Sequence, residues 1–328
     1  MSGAQFVASI TVAALALAPI ASLGWAVREL RSSAARLSLA LDLIDAAPER
    51  SEGSDPGAGG GCGEPALWIQ NARLRAADGR AILNGASLRI EQGQKVALIG
   101  PSGGGKTTLA GLATLPSPID SGRVELLGCP MEAASPRAWR RLVGWVPQSP
   151  RPAMTTPHDF LALAKPGIQE SEAVALMAAV GLDLAASERV GPGARQLSGG
   201  EWQRLACARA LATESRLLIF DEPSSALDSG SEELLMSALL SDPRAVLAVT
   251  HRLGHAKRFD AIAVMENGCI VQFGSHEELS GVDGPYRRLW ENSKKGFARR
   301  REAELPSHSQ AELSGGPCGK LFLRGLRK

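Results

Sequence analysis

The chain has 328 residues, 44% of them hydrophobic, enough for one large domain or two small ones and too few for a protein of many membrane spans. Its 36 Lys and Arg nearly cancel its 34 Asp and Glu, so no overall field selects nucleic acid, and no nucleic-acid partner is expected. Cys62, Cys129, Cys207, Cys269 and Cys318 are odd in number and far apart, without C-x-x-C spacing or a nearby histidine cluster; they read as free thiols in a reducing compartment.

Residues 6–27 carry no charge, are rich in Ala, Val, Ile and Leu, and are followed by Arg28, Arg31 and Arg36. A helix of that length crosses a bilayer, and the flanking arginines place its far end in the cytoplasm. A secretory leader would need its positive charge ahead of the apolar run, where only the amino terminus supplies any. An apolar helix packed on protein is the other alternative, since alanine makes the stretch weakly hydrophobic and Pro19 interrupts it. Leucines 37, 39, 41 and 43, mixed with Arg, Ser and Asp, suit a cytoplasmic continuation, so residues 1–47 form one unit. The Gly, Ser and Pro cluster at 48–64 reads as a flexible linker and a domain boundary. A large domain is expected over 65–295, followed by a basic, irregular tail at 296–328 that reads as disordered.

Within that domain, Ala81-Ile82-Leu83 and residues 86–90, joined by Asn84-Gly85, predict a hairpin in a small antiparallel sheet. Val96-Ala97-Leu98-Ile99 is a continuous apolar run of the kind buried on both faces of a parallel sheet. It leads into Gly100-Pro101-Ser102-Gly103-Gly104-Gly105-Lys106-Thr107, which fits G-x-x-x-x-G-K-[ST]. The three consecutive glycines let backbone N–H groups close around a phosphate, and the following helix points its positive end at the anion. Lys106 is expected to pair with the β- and γ-phosphates and the Thr107 hydroxyl to ligate Mg²⁺, with Thr108 completing the nucleotide-binding set. The alternative is a plain glycine-rich turn, and the strand–loop–helix context argues against it.

Strand signals vanish between 149 and 196, where a helical subdomain of about 150–197 is expected. They return at 216–220, 245–250, 261–265 and 270–273. The run Leu217-Leu218-Ile219-Phe220 ends in Asp221-Glu222, and successive side chains on a strand point to opposite faces, so the two acids have different tasks. Two acids alone more often form a solvated strand end; their place at the carboxyl end of a buried strand, where open α/β sheets bind ligands, favours a site. Between these elements lies Leu197-Ser198-Gly199-Gly200-Glu201. There the Ser198 hydroxyl and the Gly199 and Gly200 amides open a helix running to about Thr213, and so form a second anion site.

The order of glycine loop, Gln148, Leu-Ser-Gly-Gly-Glu, Asp221-Glu222, Ser225-Ala226-Leu227-Asp228 and His251 resembles the ATPase domain of ABC transporters over residues 66–291. The resemblance implies an α/β P-loop NTPase (RecA-like) core with an N-terminal antiparallel β subdomain and an inserted α-helical subdomain. It implies ATP and Mg²⁺ as ligands. Asp221 would hold Mg²⁺ through water, Glu222 would be the base that polarises the attacking water, Gln148 would contact Mg²⁺ and the coupling interface, and His251 would contact the γ-phosphate. Ser198, Gly199 and Gly200 would face the nucleotide of a second ABC ATPase subunit, identical or not, in a head-to-tail dimer with Asp228 at the contact.

Thr250-His251-Arg252-Leu253, Gly274-Ser275-His276-Glu277-Glu278-Leu279 and Gly284-Pro285-Tyr286-Arg287-Arg288-Leu289-Trp290 are similar to the exporter branch, and most nearly to the CydC/CydD type of cysteine and glutathione exporter. Residues 6–47 then resemble the last membrane span and its connecting helix. A transmembrane partner would supply the other spans, at the inner (plasma) membrane with the ATPase on the cytoplasmic side. Three features depart from that branch. Ala76 stands where an aromatic side chain usually stacks on adenine, so another group must cover the base. Pro192, in Val190-Gly191-Pro192-Gly193, replaces a glutamate concerned with coupling. Most of the spans are missing. Two further readings stay open: a soluble ABC ATPase of DNA repair or translation, and a nucleotide-binding remnant without transport.

Overall fold

The computed structural model describes residues 2–5, 11, 25–34, 36–38, 53–59, 63–114, 119–150, 153–224 and 227–293. The chain divides into two compact units, residues 1–50 and 51–328. In the first, nearly all described residues are helical. Most of the apolar stretch 6–27 lies outside the described residues, and among the described ones no helix is long and apolar enough to cross a membrane. The tail at 296–328 also lies outside them.

The second unit is built on a six-stranded sheet. Strands β3 (Lys95–Ile99), β6 (Val143–Val146), β7 (Leu217–Asp221), β8 (Ala245–Val249), β9 (Ala261–Glu266) and β10 (Cys269–Gly274) lie in the order β10-β9-β3-β8-β7-β6. Every neighbouring pair is parallel except β9 and β10. The apolar runs form strands here because both faces are covered. Every residue of β3, β7 and β8 is buried, and alternate residues serve opposite layers. Ala97, Ile99, Leu218, Phe220, Val246 and Ala248 join one core; Val96, Leu98, Leu217, Ile219, Leu247 and Val249 join the other.

A four-stranded antiparallel sheet, β2-β1-β4-β5, is built from β1 (Leu67–Arg75), β2 (Ala81–Ile90), β4 (Ser121–Leu126) and β5 (Cys129–Pro130). It matches the expected antiparallel subdomain but corrects the expected hairpin. Asn84-Gly85 turns no corner: both residues lie inside β2, with Gly85 at φ 87° where the register against β1 slips. The glycine that a tight turn would use serves a β-bulge instead. The turn is one connection earlier, where the Ala76 N–H donates to the Arg80 carbonyl (2.8 Å) and the Gly79 N–H to the Ala76 carbonyl (2.8 Å).

Residues 53–59 and 63–64 of the stretch read as a linker are described. Ser54 lies against 133–135: its N–H donates to the Ala133 carbonyl (2.9 Å) and its carbonyl accepts from the Ser135 N–H (2.9 Å).

Helix α1 (Lys106–Leu112) follows β3, and α2 (Pro136–Leu142) precedes β6. The expected helical subdomain holds α3 (Pro157–Ala162) and α4 (Glu170–Ala179) and leads into α5 (Gly199–Ala212). Thr156 caps α3 by accepting the Asp159 N–H, and Phe160 meets Trp202 of α5 edge-on at 6.0 Å between centroids. Helix α6 (Ser229–Ser241) lies between β7 and β8 in the chain.

Candidate functional site

Four parallel strands end side by side, in the order β3, β8, β7, β6, and each delivers a predicted site residue at or just past its carboxyl end. These are the glycine loop after Ile99, His251 after β8, Asp221 and Glu222 at the end of β7, and Gln148 after β6. The carboxyl edge of an open α/β sheet gathers such groups because every crossover returns to the same edge.

The loop depends on close backbone approach. A Cβ on Gly100, at φ 146°, would lie 2.1 Å from the Met265 carbonyl oxygen of β9, and one on Gly105, at φ 94°, would lie 2.8 Å from that of Ile82. Gly105 caps α1, whose first residue is Lys106. The Lys106 ammonium donates to the carbonyls of Gly100 and Pro101, both at 2.9 Å, which curls the side chain back over its own loop. Burial lowers the Lys106 pKa, and the Glu222 and Asp221 carboxylates oppose that shift.

Asp221 and Glu222 occupy different surroundings, through a backbone feature that strand alternation does not supply. Asp221 ends β7 buried, where desolvation pushes its carboxyl upward while the Thr107 hydroxyl donates to it. Glu222 has φ 50°, a left-handed conformation that costs a non-glycine residue about 1 kcal/mol or more. Its N–H still reaches β8, donating to the Val249 carbonyl at 2.9 Å. The reversal turns the Glu222 side chain toward the neighbouring strand ends: Gln148 Nε2 donates to Oε2 at 3.0 Å, and His251 Nδ1 lies 3.4 Å from Oε1.

A cavity of about 480 Å³ opens over the loop, lined by Ser102, Gly103, Gly105, Lys106, Thr107 and Thr108 together with Gln148 and Glu222. Arg80, Ala81 and Ile82 also line it. No local motif marks these three, because a strand in a different sheet is carried there by the fold; the short approach of Ile82 to Gly105 is the contact that does so. Ala76, the expected adenine position, is not among the lining residues. The donors suit the ligands: loop amides and an ammonium for phosphate, and the oxygens of Thr107, Asp221 and Gln148 for a hard cation that keeps several waters. No group of three or more His, Cys, Asp or Glu able to hold a metal ion occurs among the described residues.

The Ser198-Gly199-Gly200 segment contributes nothing to this lining among the described residues. Ser198 caps α5 in a capping box: its hydroxyl oxygen accepts the Glu201 N–H at 3.2 Å, and the Glu201 carboxylate accepts the Ser198 N–H at 2.8 Å. That bond holds the carboxyl of Glu201 below its ordinary range. Asp228 caps α6, accepting the Gly230 and Ser231 N–H groups at 3.0 Å each; its neighbours Ser225 and Ala226 lie outside the described residues.

Residues 83–225 match the ABC transporter family. The chain is 36% identical over 211 residues to the glutathione/L-cysteine transport system ATP-binding/permease protein CydC of Escherichia coli, covering 62% of this chain and 37% of that one. It is 32% identical over 301 residues to the ATP-dependent lipid A-core flippase of Methylobacillus flagellatus, covering 88% and 51%. With the mycobactin import ATP-binding/permease protein IrtA of Mycolicibacterium smegmatis it shares 36% over 246 residues, covering 71% and 28%. The chain thus spans about half or less of the length of these curated relatives. Its fold aligns with a bacterial Atm1-family ABC exporter with ATP bound at a TM-score of 0.70 and 28% identity, over 83% of this chain and 49% of that one. Loop, paired acids, glutamine and histidine converge on one sheet edge, and residues 83–225 are therefore an ATPase domain of the ABC transporter family, in a chain similar to exporter-type ATP-binding/permease proteins.

Proposed function

We propose that this domain binds and hydrolyses ATP with Mg²⁺ and thereby powers transport across a membrane, working as a head-to-tail pair with a second ABC ATPase subunit. The observation that carries the reading is Glu222, held by Gln148 and within reach of His251, at the mouth of a cavity floored by Lys106 and Thr107. The loop amides and Lys106 hold the β- and γ-phosphates, while Thr107 and Asp221, with Gln148, form the oxygen set for Mg²⁺, which neutralises phosphate charge when bound. Glu222 accepts hydrogen bonds from Gln148 and is free to orient and polarise a water at the γ-phosphate, and His251 stands beside it to contact the same phosphate.

Head-to-tail pairing is supported by the exposed Ser198 and Gly199 at the start of α5, which are not among the residues lining their own chain's cavity. The transmembrane partner, the inner-membrane location and the cytoplasmic side of the ATPase rest on the relatives and on the apolar stretch at 6–27. Those relatives are named for cysteine and glutathione, lipid A-core and mycobactin, so cargo diverges while the ATPase region stays alike.

Glu222→Gln tests the chemistry in the full chain. The amide keeps the Gln148 contact but cannot take up a proton, so turnover falls about 10²- to 10⁴-fold while ATP binding persists and an ATP-bound dimer accumulates. Turnover equal to the parent protein removes Glu222 from the role of base.

A further inference from the structure

The geometry points to Arg80 as the residue that holds the nucleotide base in this chain, its planar guanidinium stacking on the ring where an aromatic side chain is absent. The inference rests on the ATP site proposed above and adds how that site recognises the base. The cavity has two kinds of wall. The loop, Lys106, Gln148 and Glu222 supply charge and hydrogen bonds, which suit phosphates and metal. The remaining wall is Arg80, Ala81 and Ile82, at the start of β2, so the base must lie against it. Ile82 is fixed there, since its carbonyl would lie 2.8 Å from a Cβ on Gly105, the last glycine before Lys106.

Arg80 lies in the turn directly before β2, two residues ahead of Ile82, and lines the same cavity. The Arg80 backbone is held by two hydrogen bonds: its N–H donates to Asp78 Oδ1 at 3.0 Å and its carbonyl accepts the Ala76 N–H at 2.8 Å. Its side chain is exposed and has no carboxylate partner among the described residues. Ala76, in the same turn, has too small a side chain to cover a ring. A guanidinium plane stacks on an aromatic face by dispersion and cation–π attraction, and an ammonium does so less well because it is compact and strongly hydrated.

Calorimetric titration of the full chain with Mg-ATP and with magnesium tripolyphosphate, which has no base, tests this. Arg80→Ala weakens ATP binding about tenfold and leaves tripolyphosphate unchanged. Arg80→Trp recovers ATP binding, and Arg80→Lys does not. Lys106→Ala, the phosphate-site control, weakens both ligands. Equal losses for both ligands in Arg80→Ala would assign Arg80 to phosphate and overturn the proposal, as would an unchanged ATP affinity. Absence of binding by the unmodified chain would instead overturn the ATP site itself.

Discussion

Gly199→Asp separates the two anion sites. Gly199 is the first residue of α5, is exposed, and a Cβ built on it meets nothing within 4 Å, so an aspartate side chain fits without displacing anything. A carboxylate in the first turn of a helix interacts favourably with the macrodipole, by about 0.3–1 kcal/mol. The folded monomer should therefore melt at the same temperature or up to about 3 °C higher. If α5 faces a partner's triphosphate, the same carboxylate meets like charge. At about 4 Å and an effective dielectric near 20, one pair of unit charges repels by roughly 4 kcal/mol. ATP-dependent dimerisation then weakens by about three orders of magnitude, since each 1.4 kcal/mol is tenfold.

The assay uses the Glu222→Gln background, which holds ATP without turnover. Sedimentation with Mg-ATP reads the dimer, and titration with a fluorescent ATP analogue at concentrations below dimerisation reads the monomer's own site. The expected result is loss of the dimer with unchanged monomer affinity. A variant that dimerises like its parent refutes the trans arrangement. So does one that loses monomer affinity, because that would place Gly199 at its own chain's nucleotide.

Asp221→Asn should raise the stability of the nucleotide-free protein at pH 7 while abolishing Mg²⁺-dependent turnover. The folded-state pKa of Asp221 is raised by burial, so the folded protein binds its proton more tightly than the unfolded chain does, and ionisation at neutral pH costs stability. The asparagine removes that cost and still accepts from Thr107. The advantage over wild type, read by thermal melts across pH, should shrink as pH falls through the raised pKa toward 3.8; a gap that grows toward acid would contradict the assignment. Gly100→Ala should destabilise the domain by about 3 kcal/mol, because its Cβ would sit 2.1 Å from the Met265 oxygen at a φ of 146°. A melting temperature within about 2 °C of wild type would show that the loop has more room than the fold indicates.

The parts of the fold legible beforehand are those whose cause is local. Val96-Ala97-Leu98-Ile99 and Leu217-Leu218-Ile219-Phe220 had to be buried on both faces, and the glycines after β3 needed a strand before them and a helix after them. Ser198 and Glu201 are separated by the spacing of a capping box, so the start of α5 was readable from its own residues. Asn84-Gly85 misled because the same dipeptide serves a hairpin turn or a bulge; the pairing of β1 with β2 decides which, and it depends on residues 72–75 across the ladder. Ser54 sits in a segment with no periodicity, so only the backbone of 133–135 gives it a partner.

By itself, the sequence marked out the groups to which the proposed chemistry is assigned. Lys106, Thr107, Asp221, Glu222 and the Ser198 segment occupy spacings set by strand, loop and helix geometry, which is a property of short stretches of chain. Only the tertiary structure decided how they meet. The left-handed turn at Glu222 aims its carboxylate at Gln148 and His251, and the lean of β2 over Gly105 brings Arg80 to the cavity. Both depend on backbones from distant parts of the chain packing at contact distance, an interaction that no local pattern encodes.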